Sequence, residues 1–168
     1  MADSGVQELQ RLLERFHTGL LTTRGSDGHF HSRPMTIQVR SVEDGLWLAT
    51  TEGSAKLADP EADPHCGIAF HDGEKGSTYV SVSGTAALVR DRALIRRLFS
   101  PEWKPWFPDG PEQVDLVLIH VRPEHVEFMH PRSGRLEVLF TMARRLAHQP
   151  QPPSPKVELD LGAQPSPA

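Results

Sequence analysis

Two segments of the chain carry a cation in a setting suited to bind a phosphate. Arg33 lies near the start of a strand-like run, Ser32-Arg33-Pro34-Met35-Thr36-Ile37-Gln38, and its planar guanidinium offers five donors to phosphate oxygens. Lys56 ends the run Thr50-Thr51-Glu52-Gly53-Ser54-Ala55-Lys56, where a strand leads into the first turn of a short helix. Free backbone N–H groups at such a turn favour an anion. The alternatives are a solvated arginine and a capped turn with a surface lysine.

A third segment combines aromatic side chains with prolines. Trp103-Lys104-Pro105-Trp106-Phe107-Pro108 is too rich in proline for regular structure, and large aromatic groups are costly to leave exposed. These rings therefore cover the protein's own core, stack on a planar ligand, or pack against a partner.

Other reactive residue types give weaker signals. His29 and His31 alternate on one strand, but no further ligand follows at a zinc-motif spacing, so we predict no metal site. Cys66 lies in an apolar run and is predicted to be a core residue rather than a nucleophile. Both dinucleotide fingerprints, GxGxxG after a strand and GxxxxGK[ST], are missing.

Composition indicates one globular domain. The chain has 168 residues and a net charge of −4, so it has no overall positive field for a nucleic-acid backbone or an anionic membrane. We therefore expect neither nucleic acid nor membrane among its partners. A single cysteine, the absence of a long apolar run and an N-terminus unlike a signal peptide lead us to expect a cytoplasmic protein.

The elements that must position these residues are mostly short strands separated by tight turns. Apolar and β-branched runs predict a first strand at 20–23 and a second that continues through 37–39. Further strands are predicted at 46–51, 66–70, 78–89, 116–121 and 126–129. Gly84 predicts a bulge or sharp bend in the fifth of these runs. Helices are predicted after Ser4, from Ser54 to Asp59, after Asp91, and near 136–146. This order favours a mainly β (α+β) fold, a small antiparallel barrel over residues 1–148, followed by a proline-rich disordered tail over residues 149–168.

In order and spacing, these segments resemble the FMN-binding split barrels related to pyridoxamine 5′-phosphate oxidase, and within them the general stress protein 26 type. The resemblance covers roughly residues 5 to 148. It rests on Leu20-Leu21-Thr22-Thr23, His31-Ser32-Arg33-Pro34-Met35, Leu46-Trp47-Leu48-Ala49-Thr50-Thr51, Ser54-Ala55-Lys56, Tyr79-Val80-Ser81-Val82-Ser83-Gly84-Thr85-Ala86 and the segment from Trp103 to Pro111.

The resemblance implies a homodimer of six-stranded antiparallel split barrels with short flanking helices and two FMN molecules at the subunit interface. Arg33 and Lys56 would hold the phosphate, and Trp103, Trp106 and Phe107 would approach from the side of the other subunit. The polar edge of the flavin ring is assigned to Gln38 and the backbone near Thr36. The full expected FMN site is Arg33, Pro34, Met35, Thr36, Gln38, Thr50, Thr51, Ser54, Lys56, Trp103, Trp106 and Phe107.

The function implied is that of an FMN-dependent oxidoreductase acting with a small redox substrate or a reduced nicotinamide, with a link to stress. No obligatory acid, base or nucleophile is visible, so the flavin would supply the chemistry. One alternative is a flavin-binding or storage stress protein without turnover. Others are a pyridoxamine 5′-phosphate oxidase and a deazaflavin or haem binder. Against the oxidase, Arg135-Leu136 is followed by Glu137, which departs from the segment that binds the vitamin phosphate in those enzymes.

Overall fold

The computed structural model describes residues 2–41, 44–54, 57–72, 78–129 and 156–160. The elements, in chain order, are α1 (Ala2–Leu13), β1 (Thr18–Arg24), β2 (Phe30–Ser41), β3 (Gly45–Thr51), α2 (Ala58–Ala62), β4 (His65–Asp72), β5 (Thr78–Val89), α3 (Arg92–Leu98), β6 (Leu116–Met129) and β7 (Lys156–Asp160). Two short 3-10 turns, Pro101–Trp103 and Gly110–Glu112, lie between α3 and β6. No helix among the described residues is long and apolar enough to cross a membrane.

Six strands form a closed antiparallel barrel, as the sequence predicted. Neighbouring strands follow the order β3-β2-β1-β4-β5-β6, and β3 pairs again with β6 to close the ring. The pairing of β2 with β3 runs only from Ile37 opposite Leu48 to Ser41 opposite Gly45. The first half of β2 and the second half of β3 therefore separate, and this separation is the split of the barrel.

Two apolar clusters lie on opposite faces of the barrel wall. Inside the barrel, alternate strand residues such as Val80 and Val82 pack with Leu9 and Leu13 of α1. Outside it, Leu116 and Leu118 of β6 pack against α3 and the aromatic segment that follows α3. Because successive strand residues face opposite sides, the long strand β6 supplies both clusters.

Residues 116–129 form one strand, where the sequence predicted two. The register of β5 against β6 shifts between Ser83 and Gly84, which lies opposite Pro123. A Cβ on Gly84 would come within 1.9 Å of the carbonyl oxygen of Arg122. The extra residue at this shift, Glu124, belongs to β6, so the predicted bulge lies opposite Gly84 and not in its own strand. The missing side chain of Gly84 leaves room for β6 to bend there without ending, which corrects the number of strands.

The short helix after β3 also differs from the prediction. It begins at Ala58 rather than at Ser54, and it contains Pro60, one residue beyond the predicted end at Asp59. Proline is tolerated there because backbone N–H groups in the first turn of a helix have no partner within the helix. Lys56 thus precedes the helix instead of lying in its first turn, and its position falls outside the described residues.

The predicted disordered tail is wrong for five residues. Lys156–Asp160 form β7, which pairs antiparallel with the second half of β6, from Met129 opposite Lys156 to His125 opposite Asp160. This short stretch has no proline and alternates apolar with charged residues, a strand pattern that the high proline content of residues 149–168 concealed. The rest of that segment, and the helix predicted near 136–146, lie outside the described residues.

Candidate functional site

A pocket opens where β2 and β3 separate. Its volume is about 470 Å³, within the range of about 300–1,000 Å³ usual for small-molecule sites. The lining comes from β1, β2, β3 with the turn after it, and the segment after α3: Thr18, Pro34, Met35, Thr36, Ala49, Thr50, Thr51, Ser54, Trp103, Trp106 and Phe107.

Backbone edges border this pocket. Among the described residues, the β2–β3 ladder stops at Ile37 and Leu48, although β2 remains paired with β1 and β3 remains paired with β6. The facing edges of Met35–Thr36 and Ala49–Thr51 therefore carry backbone groups outside that ladder. Such groups can bind the polar edge of a flat ring lying in the split.

The aromatic segment forms one wall of the pocket. Trp103 is 1% exposed and Phe107 6% exposed, and both belong to the outer apolar cluster; Trp103 also meets Phe99 edge-on, with ring centroids 5.7 Å apart. Trp106, by contrast, is 63% exposed. Two of the rings thus cover the protein's own core and line the pocket at once, while Trp106 leaves most of its indole in solvent.

The polar lining consists of hydroxyl groups. They belong to Thr18, Thr36, Thr50, Thr51 and Ser54, and the described lining has no ionisable side chain. Hydroxyl groups donate to and accept from a phosphate, but they do not neutralise its charge. Any cation that does so must come from outside this described lining.

Arg33, the residue before Pro34 of the pocket, lies in a compact polar cluster at the end of the barrel where α2 meets β1 and β2. Its Nη2 donates to Asp59 Oδ2 at 2.8 Å and its Nη1 donates to Thr23 Oγ1 at 3.0 Å. Thr23 Oγ1 donates to the same Oδ2 at 2.8 Å, and His31 Nδ1 lies 3.0 Å from it. The arginine is therefore neither a solvated surface group nor a lone cation.

Burial and hydrogen bonding act in opposite directions on Asp59, which is 5% exposed. Burial alone would raise the pKa of this carboxyl, but hydrogen bonds from Arg33, Thr23 and His31 outweigh it and lower the pKa from 3.8 to about 2. Asp59 is thus ionised at neutral pH and keeps its ion pair with Arg33.

The pocket brings together nine of the twelve residues predicted for the site, all except Arg33, Gln38 and Lys56. Gln38 lies in the β2–β3 ladder opposite Trp47, away from the described lining, and Lys56 falls outside the described residues. The aromatic residues expected on the side of another subunit line the pocket of their own chain.

Sequence reasoning missed two residues of the lining and the partners of Arg33. Thr18 had no local signal, because its position beside Thr36 depends on the register between β1 and β2. Ala49 stood within the predicted third strand but has no side-chain chemistry to single it out. Asp59 had no local signal, since its contacts with Thr23 and Arg33 join residues 36 and 26 positions apart.

Cys66 behaves as the sequence predicted. It is 9% exposed and belongs to the barrel core. Burial, with a smaller effect from the charge of Glu124, raises the pKa of the thiol to about 12. The thiolate that a nucleophile requires is therefore scarce at neutral pH.

Comparison with known proteins agrees with this geometry. The family model described as pyridoxamine 5′-phosphate oxidase like matches residues 4–152. General stress protein 26 of Bacillus subtilis is 30% identical over 128 residues, which cover 74% of this chain and 87% of that protein. Protein bli-3 of Neurospora crassa is 33% identical over 132 residues, covering 71% of this chain and 62% of the longer bli-3 chain.

A comparison with solved structures finds the same fold. A crystal structure of a candidate general stress protein 26 from Jannaschia sp. CCS1 superposes with a TM-score of 0.73 at 22% identity, covering 96% of this chain and all of that one. At this identity the likeness concerns the fold alone. The family-model match and the Bacillus relative go further: the chain belongs to the pyridoxamine 5′-phosphate oxidase-like family.

Proposed function

We propose that the pocket in the split binds FMN and that the protein is an FMN-dependent oxidoreductase acting with a small redox substrate or a reduced nicotinamide. One observation carries the proposal: nine residues predicted from separate segments of the sequence line a single pocket. The segments lie far apart in the chain, at 34–36, 50–54 and 103–107, so local sequence does not explain their meeting.

The pocket offers what the two ends of FMN require. Met35, Trp103 and Phe107 give apolar walls for the flat tricycle, and the edges of β2 and β3 beyond the end of their common ladder supply backbone groups for its polar rim. Thr50, Thr51 and Ser54 supply hydroxyls suited to the phosphate end. A cavity of about 470 Å³ is large enough for a ligand of this class.

The phosphate charge must be met by cations next to the described lining. Arg33 is one, because its two hydrogen bonds to Asp59 and Thr23 occupy only two of its five N–H groups. Lys56, two residues after Ser54, is proposed as the other on the strength of the family resemblance. Bound FMN would supply hydride or electron transfer, while the chain's own residues bind it, orient it and exclude water.

The lining also favours a second candidate, a flavin-binding stress protein without turnover of its own. No ionisable side chain belongs to the described lining, so the residues described there offer no acid or base to a substrate. Mixing the FMN-loaded protein with NADH or NADPH in a stopped-flow instrument separates the two candidates. A reductase bleaches the flavin on mixing, whereas a carrier does not.

We further propose a homodimer with the flavin at its interface. Up to Arg24, which lies at its edge, the outer face of β2, β1, β4 and β5 has no Asp, Glu, Lys or Arg over Ser32, Pro34, Thr36, Thr18, Leu20, Thr22, Gly67, Ala69, His71, Tyr79, Ser81 and Ser83. We call this the neutral face. It includes the pocket residues Thr18, Pro34 and Thr36, so a second copy packed there would cover the pocket.

Absorption spectroscopy tests the FMN proposal. Purified protein incubated with FMN and passed through a desalting column should retain the visible flavin band, and denaturation should release it. Thr36→Trp should abolish retention because the larger ring fills the pocket, whereas Val114→Trp, at a site that is 94% exposed, should not. A wild-type protein that emerges colourless after loading would refute FMN binding.

A further inference from the structure

The side chains of Arg33, Asp59 and Thr23 form a closed ring of hydrogen bonds. Both terminal nitrogens of Arg33 are held, Nη2 by Asp59 and Nη1 by Thr23, and the Thr23 hydroxyl donates to the Asp59 oxygen that accepts from Nη2. A third donor to the ionised carboxylate, His31 Nδ1, lies 3.0 Å from that oxygen. Rotation of the guanidinium would break two of these hydrogen bonds at once.

This arrangement leaves part of the guanidinium available. Each terminal nitrogen of arginine has two N–H groups and Nε has one, so three N–H groups of Arg33 have no acceptor among the residues that the structure describes. The Arg33 side chain is 20% exposed while that of Asp59 is only 8% exposed. One side of the guanidinium is thus fixed within the protein, while part of the side chain remains exposed on the strand that carries the pocket residues Pro34, Met35 and Thr36.

We propose that Asp59 is a positioning residue for anion recognition: through its contacts with Arg33 and Thr23, it holds the guanidinium in the one orientation in which its remaining N–H groups meet the phosphate of bound FMN. This inference rests on the proposed FMN function and assigns a role to Asp59 and Thr23. Neither residue lines the described pocket, so both act through Arg33.

The physical reason is the conformational freedom of arginine. A long unrestrained side chain loses many rotamers when it binds a ligand, and that loss opposes binding. Here Asp59 and Thr23 restrict the arginine side chain already when the protein folds, so FMN binding does not have to oppose this loss of conformational entropy. The carboxylate also offsets part of the arginine's charge, and we expect the gain from a fixed orientation to outweigh this effect.

Comparing FMN with riboflavin isolates the phosphate end of the ligand. Riboflavin has the same ring system and lacks the phosphate, so the ratio of the two dissociation constants measures phosphate recognition independently of ring binding. Asp59→Asn should reduce the preference for FMN over riboflavin by about tenfold, the value of one good charge-assisted contact. The matched control is Asp63→Asn, which changes another acidic residue of the same region, paired with His65 at the surface, and should leave the ratio unchanged.

A second pair of variants protects the test against a folding defect. Thr23→Val keeps the shape of the side chain and removes its hydroxyl, whereas Thr23→Ser keeps the hydroxyl. The valine variant should lower the FMN-to-riboflavin preference and the serine variant should retain it. Dissociation constants are measured by quenching of flavin fluorescence, on protein whose folding is verified by circular dichroism.

Different failures have different meanings. Wild-type protein that binds neither flavin overturns the proposed function and, with it, this inference. Wild-type protein that binds FMN, with a ratio unchanged in Asp59→Asn and Thr23→Val, overturns the positioning role alone. A rise in FMN preference on Asp59→Asn would also contradict it, since charge neutralisation by Asp59 would then outweigh orientation.

Discussion

At the scale of single residues, the least expected feature is the buried ion pair of Arg33 and Asp59. A carboxylate 5% exposed would be unfavourable without a partner, because burial penalises its charged form. Three neighbouring side chains reverse that penalty. The same contacts tie α2 to β1 and β2, so they stabilise the end of the barrel next to the pocket.

This ion pair predicts a specific loss of stability in acid. The pKa of Asp59 lies below its ordinary value of 3.8, at about 2, so its stabilising effect is complete above about pH 5 and is lost progressively as the pH falls through about 2. The expected loss is about 2 kcal/mol in the free energy of unfolding, at 1.36 kcal/mol for each pKa unit. Urea unfolding of the wild type across this range measures it.

Asp59→Asn is the control for this pH dependence. The variant should be less stable than the wild type at neutral pH, and its stability should fall less between pH 4 and pH 2, because it lacks the carboxyl that titrates there. Parallel curves for the two proteins over this interval would show that Asp59 does not contribute in this way.

At the scale of elements, the bend of β6 depends on an absent side chain in β5. Gly84 lies opposite Pro123 at the register shift, and the carbonyl of Arg122 occupies the space that a Cβ would take. The barrel closes because β6, bent in this way, pairs with β5 along most of its length and with β3 along its first half.

Substitution at Gly84 should therefore be costly. Gly84→Ala would place its methyl group 1.9 Å from a backbone oxygen, and we expect a loss of at least about 2 kcal/mol in stability because the backbone must shift. The control is Gly67→Ala in β4, where the nearest atom to the added Cβ would lie 3.7 Å away, an ordinary contact. Chemical unfolding of both variants checks the difference, and equal stabilities would contradict the account of the bend.

At the scale of the whole molecule, the neutral face predicts the oligomeric state. A broad sheet surface without charged residues, with Leu20 43% exposed and Tyr79 46% exposed, is typical of an interface between subunits rather than of a solvated surface. It borders the pocket, so association and flavin binding should depend on one another.

Sedimentation velocity at micromolar concentration should give a dimer for the wild type. Leu20→Asp should shift the protein to monomers, because two carboxylates would be buried without partners in a two-fold interface. Val114→Asp changes an equally apolar but 94% exposed residue outside the neutral face and should leave the dimer intact. A monomeric wild type would contradict the proposed interface.

Much of the fold followed from local rules. The alternation in β5 predicted its bounds of Thr78–Val89 and its buried face, because a strand with one face in the core must place apolar residues at every second position. Gly84 marked the place of the bulge, although the extra residue lies in β6. Asp91 marked the start of α3, where its side chain accepts hydrogen bonds from the backbone N–H groups of Ala93 and Leu94.

Part of the candidate site could also be predicted from the sequence. Pro34, Met35, Thr50 and the aromatic segment were selected by residue type and by the resemblance, and the structure brings them to one pocket. Their meeting depends on where β2 and β3 separate, which is a property of pairing between strands. No local pattern states where a ladder stops, so the extent of the pocket appeared only in three dimensions.

The sequence by itself determined most of the strands, their buried faces and the residue types of the site, because these depend on periodicity and on side-chain chemistry within short windows. Tertiary structure alone decided that β6 is continuous, that β7 pairs with it, and that Arg33 meets Asp59. Each of these features depends on contacts between residues more than twenty positions apart. Such contacts depend on how the barrel closes, which is set by the packing of all the strands together.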